Sequence, residues 1–242
     1  CIFCQAPYLS RGKYRLRSID NVMKEIEVLI SKYNVKYINF WDDTLTVNKK
    51  RLYRLLDAIK NFKINGYCES RVDVLDYKTL KKMKDSGCNQ VQIGVETINS
   101  YELKMIKKGT TVEEIENVLK WSKILALQVN MSLIIGLPKQ TRKSIINIIN
   151  WSKNKIEEGN NKVAFSFLTP YPETEIYRNA KEMEFELIDR YWENEPIEKK
   201  EYQDFIPHTW NYNGNISYRE ALALYTYGNY VLEMEEKEKY GK

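Results

Sequence analysis

Hydrophobic positions along the chain follow two alternating patterns. Stretches in which apolar residues recur every three or four positions, as on one face of an amphipathic helix, alternate with short apolar runs typical of strands. The first helical stretch, 18–33, begins at the capping candidates Ser18 or Asp20. Its apolar stripe consists of Ile19, Val22, Met23, Ile26, Leu29 and Ile30. The same pattern predicts further helices at 46–62, 76–87, 111–126 and 141–154.

The short apolar runs predict five strands. They lie at 36–43, 64–70, 89–96, 128–136 and 162–170. Successive strands start roughly 25–40 residues apart and are bridged by one helix each, which is typical of a parallel barrel or a doubly wound sheet. The runs "MSLIIG" and "VAFSFL" are apolar at nearly every position, which predicts strands that are buried on both faces.

Polar and glycine-containing motifs follow the predicted strands one after another. They read "WDDT", "ESR", "GVET", "GLP" and "TPYP" in chain order. In a βα barrel the carboxyl ends of the strands form the face that carries the active site. Five such motifs in succession therefore favour a barrel with a functional rim over a series of ordinary turns.

The regular pattern ends near residue 191. The next stretch is polar and aromatic without a clear period, and a helix follows at 217–240, with Ser217 and Glu220 as its capping pair. We predict a core over 1–190 and a C-terminal helical extension over 191–242 that covers the barrel or approaches its mouth.

Composition narrows the choice of function classes. The chain has 43% hydrophobic and 29% charged residues, as an ordinary globular protein does. No apolar run approaches the roughly 18 residues of a membrane span, and the start does not resemble a signal peptide. The net charge of +5 comes from interspersed charges, so no basic stripe for nucleic acid is evident. Four cysteines are too few for a disulfide framework, which predicts a reducing cytoplasm.

Histidine and cysteine positions exclude several kinds of site. With His208 as the single histidine, a His-rich zinc site is excluded, and a Ser-His-Asp triad would rest on this residue alone. The opening "CIFC" fits half of a zinc site poorly, because Cys68 and Cys88 are a strand and a helix apart. A redox pair at Cys1 and Cys4 would need a helix directly afterwards, and "QAPY" is expected to start one poorly.

The ordered motifs resemble the radical S-adenosylmethionine (radical SAM) superfamily, most closely the branch that often carries an upstream cobalamin-binding domain. The resemblance covers about residues 1–180. It rests on "CIFC", "INFWDDTLTVNKKR", "SRVDVLD", "LKKMKDSGCNQVQIGVET", "MIKKGTTVEE", "SLIIGLPKQT" and "TPYPETEIY". It implies an α/β fold, a partial (β/α) TIM-like barrel whose first strand is missing from this chain.

The family signature is CxxxCxxC with an aromatic residue before the last cysteine, and Cys1, Phe3 and Cys4 match its second half. The resemblance implies that Cys1 and Cys4 bind a [4Fe–4S] cluster. The remaining ligand, the first cysteine of the signature, is expected upstream of residue 1. We therefore expect the chain as written not to hold a stable cluster. Phe3 is expected to lie against the adenine of SAM, to be a core aromatic, or both.

Two strand ends are expected to contact the amino-acid part of SAM. By resemblance, Asp42 or Asp43 receives the ammonium group, although one of them could instead cap the following helix. Arg71 is expected to neutralise the SAM carboxylate by a forked hydrogen bond. An ordinary salt bridge between Arg71 and Glu69 or Asp73 is the alternative.

Glu96 is the strongest candidate outside the cysteines, because a carboxylate at this strand end suits the ribose hydroxyls or the amino group of SAM. Gly94 permits a neighbouring group to approach closely. Lys108 is a candidate second SAM contact, although loop lysines are usually solvated. Ser132 and Gly136 match the region that flanks adenine and ribose, with close barrel packing as the alternative for Gly136.

The resemblance implies reductive cleavage of SAM to a 5′-deoxyadenosyl radical, followed by hydrogen abstraction or methyl or C–C transfer. Cobalamin would be bound by an upstream domain, the substrate would be a small molecule, lipid or peptide, and flavodoxin or ferredoxin would donate electrons. One alternative is a degenerate SAM- or zinc-binding module without radical chemistry. Another is a TIM-barrel hydrolase or aldolase that uses Asp42, Asp43 and Glu96 for acid–base chemistry or Mg²⁺.

Overall fold

A computed structural model describes residues 1–186 and 214–241 of the chain. Its sheet has five parallel strands, and each strand pairs with the next one in the sequence. The strands are β1 (Tyr37–Phe40), β2 (Asn65–Ser70), β3 (Cys88–Glu96), β4 (Gln128–Ile135) and β5 (Asn161–Phe167). A doubly wound sheet would reverse its strand order at a switch point, whereas this order is that of a barrel wall. The predicted α/β partial barrel is confirmed.

Nine α-helices are formed by the described residues. They are α1 (Ala6–Leu9), α2 (Ile19–Tyr33), α3 (Lys49–Ile59), α4 (Tyr77–Asp85), α5 (Ser100–Met105), α6 (Val112–Ile124), α7 (Arg142–Glu158), α8 (Glu175–Arg178) and α9 (Tyr218–Tyr240). The helices α2, α3, α4, α6 and α7 bridge successive strands, or lead into the first one, as the apolar periodicity predicts. None of the described helices is long and apolar enough to cross a membrane.

Local capping signals determine where most of these helices begin. The Ser18 side chain accepts the Asn21 N–H, and Thr111 forms the predicted reciprocal capping box with Glu114. The helix predicted from residue 46 begins later, because Asn48 caps α3 and residues 45–47 form a short 3₁₀ turn. The cap of this helix is therefore neither of the two aspartates that precede it.

Three short helices differ from the sequence-based expectation or were absent from it. The segment "QAPY", expected to start a helix poorly, forms α1, and Pro7 lies in its first turn, where a missing N–H costs nothing. Helices α5 and α8 follow strand ends and have six and four residues. Fewer than two turns offer too few positions for the 3.6-residue period to be visible in the sequence.

The two faces of the sheet differ sharply in polarity. One face packs against the helices and contributes Val91, Ile93 and Met131 to the core. The other face carries hydroxyls and amides, such as Ser132, and is only partly buried. The expectation that β5 is buried on both faces is wrong, because Lys162, Ala164 and Ser166 are all exposed. Burial on both faces is found in the middle of β2 and at the ends of β3 and β4.

The C-terminal helix α9 packs on the outside of the sheet against β5 and α7. Gly228 makes this approach possible, because a Cβ there would lie 3.1 Å from the Phe165 ring and 3.2 Å from Ile149. Lys153 on α7 pairs with Glu235 at 2.5 Å. The predicted division at 190/191 and His208 lie outside the described residues, so the two-part organisation stays a prediction.

Candidate functional site

The "CIFC" segment forms a tight turn at the carboxyl end of the sheet. Ile2 is buried and anchors this turn, since its N–H bonds to the Ile106 carbonyl (3.1 Å) and its carbonyl accepts the Ile176 N–H (3.0 Å). The Cys4 N–H bonds to the Cys1 carbonyl at 3.3 Å. Both cysteines are free thiols, Cys1 exposed and Cys4 half-buried. The turn is thus held between the segments that follow β3 and β5.

Arg71, at the end of β2, connects this turn to the next loop. Its guanidinium forms a forked ion pair with Asp73 at 2.9 and 3.0 Å, so the predicted salt bridge with this residue exists. Its Nη2 also donates to the Lys108 carbonyl at 2.8 Å, and its Nη1 lies 4.0 Å from Cys1 Sγ. A fixed positive charge therefore lies beside the first thiol of the turn.

Glu96 and Lys108 form a buried ion pair behind Arg71. Lys108 Nζ lies 2.6 Å from Glu96 Oε1, and only 6% and 10% of the Lys108 and Glu96 side chains are exposed. The expectation that this loop lysine is solvated is wrong. Gly94 makes room for the pair, because a Cβ on Gly94 would lie 2.4 Å from Glu96 Oε1 and 2.8 Å from Lys108 Nζ.

The backbone at Glu96 adopts a conformation that is costly for a residue with a side chain. Its φ is 65°, and the Thr97 N–H bonds to the Val95 carbonyl at 2.8 Å, the i→i+2 bond of a γ-turn. The register with β4 shifts between Gly94 and Glu96. Such a bulge re-aims the side chain at the strand end. Nothing in the sequence apart from the nearby glycine indicates this turn.

Asp42 and Asp43 lie exposed beyond the end of β1. The alternative that one of them caps the following helix is wrong, since Asn48 does so. Burial and then the charge of Asp42 raise the pKa of Tyr14, which places Asp42 near the segment between α1 and α2. Their predicted contact with the SAM ammonium stays a prediction.

Phe3 and Ser132 contact different parts of the protein. Phe3 is partly buried against the core, as a core aromatic would be. Ser132 Oγ accepts a hydrogen bond from Gln92 Nε2 (3.3 Å), and Gln92 Oε1 accepts one from the Tyr67 hydroxyl (2.6 Å). Burial, followed by the charge of Glu69, raises the pKa of Tyr67 to about 12, so this hydroxyl stays a donor.

Gly136 is held by a residue that sequence reasoning did not single out. It has a φ of 98°, and its N–H donates to the Oε1 of the fully buried Gln140 at 2.6 Å. Gln140 in turn contacts the buried Glu102. The motif "SLIIGLPKQT" contains Gln140, but its role depends on contacts with a distant helix.

The structure therefore brings together Cys1, Cys4, Arg71, Lys108 and Glu96 in one connected group, and leaves Asp42, Asp43 and Ser132 outside it. Two thiols, a guanidinium and a buried carboxylate suit an iron–sulfur group and a ligand with carboxylate and amino groups. Among the residues that the structure describes, no three or more His, Cys, Asp or Glu side chains group to hold a metal ion.

The sequence of the chain is similar to those of two proteins that are named as methyltransferases. The chain is 33% identical over 182 residues to an uncharacterised methyltransferase of Pyrococcus horikoshii, covering 74% of this chain and 39% of that protein. It is 27% identical over 193 residues to the bacteriochlorophyllide d C-8(2)-methyltransferase of Chlorobaculum tepidum, covering 75% and 42%. The chain thus spans about two fifths of the length of these relatives.

A solved structure shows the same fold. The radical SAM methyltransferase TsrM from Kitasatospora setae, with cobalamin and a [4Fe–4S] cluster bound, matches with a TM-score of 0.60 and 17% identity over 66% of this chain and 33% of that chain. A family model described as the radical SAM superfamily matches residues 1–152. The hydrolase and aldolase alternatives are left without support, and the chain belongs to the radical SAM superfamily.

Proposed function

We propose that the protein containing this chain is an enzyme that cleaves SAM reductively at the rim of the partial barrel. The observation that carries the proposal is the continuous chain of contacts from the cysteine turn through Arg71 to the buried pair of Lys108 and Glu96. When bound, a [4Fe–4S] cluster supplies the electron that breaks a C–S bond of SAM, giving methionine and a 5′-deoxyadenosyl radical.

The residues of this chain bind and orient the reactants. Cys1 and Cys4 would hold the cluster, and Arg71 would attract the SAM carboxylate beside Cys1 Sγ. Glu96 would receive the ribose hydroxyls or the amino group through the oxygen that Lys108 does not engage. Phe3 would lie against the adenine. Ile2 closes the turn from behind, which keeps water from this side of the site.

The remaining candidates would complete the SAM site from neighbouring strand ends. Ser132 and Gly136 would flank adenine and ribose, and Asp42 or Asp43 would approach the ammonium group from β1. Because the C-terminal ends of parallel strands meet at one rim, these groups reach the same ligand from different strands.

Methyl transfer to an unactivated carbon is the reaction class that we favour. Two relatives are named as methyltransferases, one acting on bacteriochlorophyllide d, and TsrM was solved with cobalamin bound. Cobalamin, if used, would be held by another part of the full-length protein, and the substrate would be a small molecule, lipid or peptide. The free thiols fit a reducing compartment such as the cytoplasm.

Product formation tests the proposed function. The full-length protein, reconstituted with iron and sulfide without oxygen and reduced with dithionite, should convert SAM to equal amounts of methionine and 5′-deoxyadenosine, the radical taking its hydrogen atom from a C–H bond of the substrate or of a buffer component. Chromatography quantifies both products. A reconstituted protein that binds a [4Fe–4S] cluster but forms neither product above the protein-free background would contradict the proposal.

An exposed basic segment suggests where the physiological electron donor docks. The segment, residues 11–17, reads "RGKYRLR" and is exposed throughout. In the part of the chain that the structure describes, Arg11, Lys13 and Arg15 form no ion pair. Helix α1 is one turn long, and Arg11 follows Cys4 by only seven residues along the chain. We infer that an acidic one-electron carrier, such as flavodoxin or ferredoxin, docks here.

Neutralising this segment should slow only the carrier-dependent reaction. We expect the triple variant Arg11→Gln, Lys13→Gln, Arg15→Gln to form 5′-deoxyadenosine about tenfold more slowly with reduced flavodoxin at low salt, because steering by opposite charge is lost. With dithionite its rate should equal that of the wild type. Initial rates with both reductants, at low and high salt, measure the effect.

A matched variant removes the same charge from the opposite end of the barrel. Lys32, Lys36 and Lys60 are exposed before the amino ends of the strands, and their triple replacement by Gln should leave both rates unchanged. If both triple variants slow the flavodoxin reaction equally, net charge rather than docking at the basic segment is responsible.

A further inference from the structure

A buried carboxylate on α5 takes no part in the function proposed above. Glu102 is only 1% exposed, and among the described residues no lysine or arginine pairs with it. Its Oε2 accepts hydrogen bonds from Thr97 Oγ1 at 2.5 Å and from Gln140 Nε2 at 3.5 Å. Burying a carboxylate costs free energy when its lost hydration is replaced by hydrogen bonds alone, without an opposite charge. Its two partners, however, belong to two different strand ends of the rim.

On the β3 side, Glu102 fixes the residue that closes the strained turn. The Thr97 N–H makes the i→i+2 bond around Glu96, while Thr97 Oγ1 donates to Glu102 and accepts the Asn99 N–H at 3.1 Å. A positive φ at a glutamate persists only where its surroundings enforce it. Glu102 provides that constraint through Thr97.

On the β4 side, Gln140 fixes the loop that begins at Gly136. Its Oε1 accepts the N–H groups of Gly136 (2.6 Å) and Leu137 (3.2 Å). Its Nε2 donates to the Ile134 carbonyl (3.3 Å) and to Glu102. Every hydrogen-bonding site of this side-chain amide is therefore used inside the protein, and the orientation of the amide is set by the carboxylate.

We propose that Glu102 and Gln140 are positioning residues that lock the turn at Glu96 and the Gly136–Leu137 loop into one arrangement. Neither residue needs to touch a ligand for this role. The network holds two rim segments that approach the same space, so a shift of either one alters the site between them. That SAM is the ligand in this space rests on the proposed function.

Exchanging the two side chains tests the coupling. Gln140→Glu alone places two carboxylates in contact, and Glu102→Gln alone removes the charge that orients the amide. Each single variant should speed hydrogen exchange of the Thr97, Gly136 and Leu137 amides about tenfold. In the double variant the new amide at position 102 can donate to the new carboxylate at position 140 and accept from Thr97, while that carboxylate still accepts both loop N–H groups. The Ile134 carbonyl loses its donor, so exchange should be slower than in either single variant without reaching the wild-type rate.

Affinity for SAM is measured on the same variants in the full-length protein with its cluster. We expect each single variant to bind SAM about tenfold more weakly and the double variant to recover part of this loss, with unchanged iron content. As a control, Ile148→Val removes one methyl from the buried core at α7 and should lower stability without changing either measurement.

Three results would overturn the proposal. In the first, the two substitutions have additive effects on the exchange rates. In the second, Ile148→Val changes exchange or SAM affinity as much as the single variants at 102 and 140 do. In the third, exchange at the three amides is faster in the single variants but their SAM affinity is unchanged. A wild-type protein that binds no SAM would instead overturn the proposed function, and the exchange measurements would still decide whether the network exists.

Discussion

Replacing Cys4 by alanine in the full-length protein should abolish 5′-deoxyadenosine formation. The Cys4 sulfur lies on the rim turn next to Cys1, and iron–sulfur clusters depend on cysteine thiolates for their attachment. We expect the iron and sulfide content to fall and the rate of product formation to drop about 10³-fold or more, as for other groups that a reaction cannot do without. Metal analysis, the visible spectrum of the reconstituted protein and product chromatography measure these effects.

Another cysteine of the same chain provides the matched control. Cys88 opens β3 at the opposite end of the sheet, where its thiol donates to the Gln90 carbonyl. Cys88→Ala should leave the iron content and the rate unchanged within about twofold, because only weak hydrogen bonding of a thiol is lost, far from the rim. If Cys4→Ala retained wild-type iron and activity, the assignment of this thiol as a cluster ligand would be wrong.

The overall fold could be predicted because its signals are local. Ser18 and Thr111 cap their helices within one turn, and the strands are marked by short apolar runs between the helices. The exposure of Ala164 and Ser166 could not be predicted, because it depends on which face of β5 the helices cover. Small side chains are compatible with either face, so the sequence at this strand leaves the choice open.

The candidate site could be predicted only in part, for a similar reason. Glu96 and Arg71 are marked by their positions at strand ends. The burial of Lys108 was missed because it follows from the loop after α5 folding back over Gly94, a contact between residues far apart in sequence. The role of Gln140 depends likewise on Glu102, which lies 38 positions earlier. Long-range partners of this kind carry no local pattern.

Breaking the buried ion pair from either side should destabilise the protein strongly. Glu96 and Lys108 are both almost fully buried, so removing one charge leaves the other unpaired in a poorly solvated place. We expect Lys108→Met to lower the free energy of unfolding by about 3 kcal/mol. Glu96→Gln in the Lys108→Met background should restore part of this loss, since no buried charge remains. Urea unfolding of the single and double variants measures these differences.

The affinity for SAM distinguishes a direct contact between Glu96 and the ligand from a purely structural role of Glu96. If Glu96 accepts hydrogen bonds from SAM, Glu96→Gln should weaken binding by roughly tenfold to a hundredfold, the loss expected for a hydrogen bond to a charged group. The double variant with Lys108→Met should regain stability without regaining SAM affinity, while its iron content stays that of the wild type. Recovery of both quantities together would show that Glu96 acts on SAM only through the stability of the rim. The carboxylate would then be a partner for Lys108 alone, and the ribose or amino group of SAM would need another acceptor among the neighbouring strand ends.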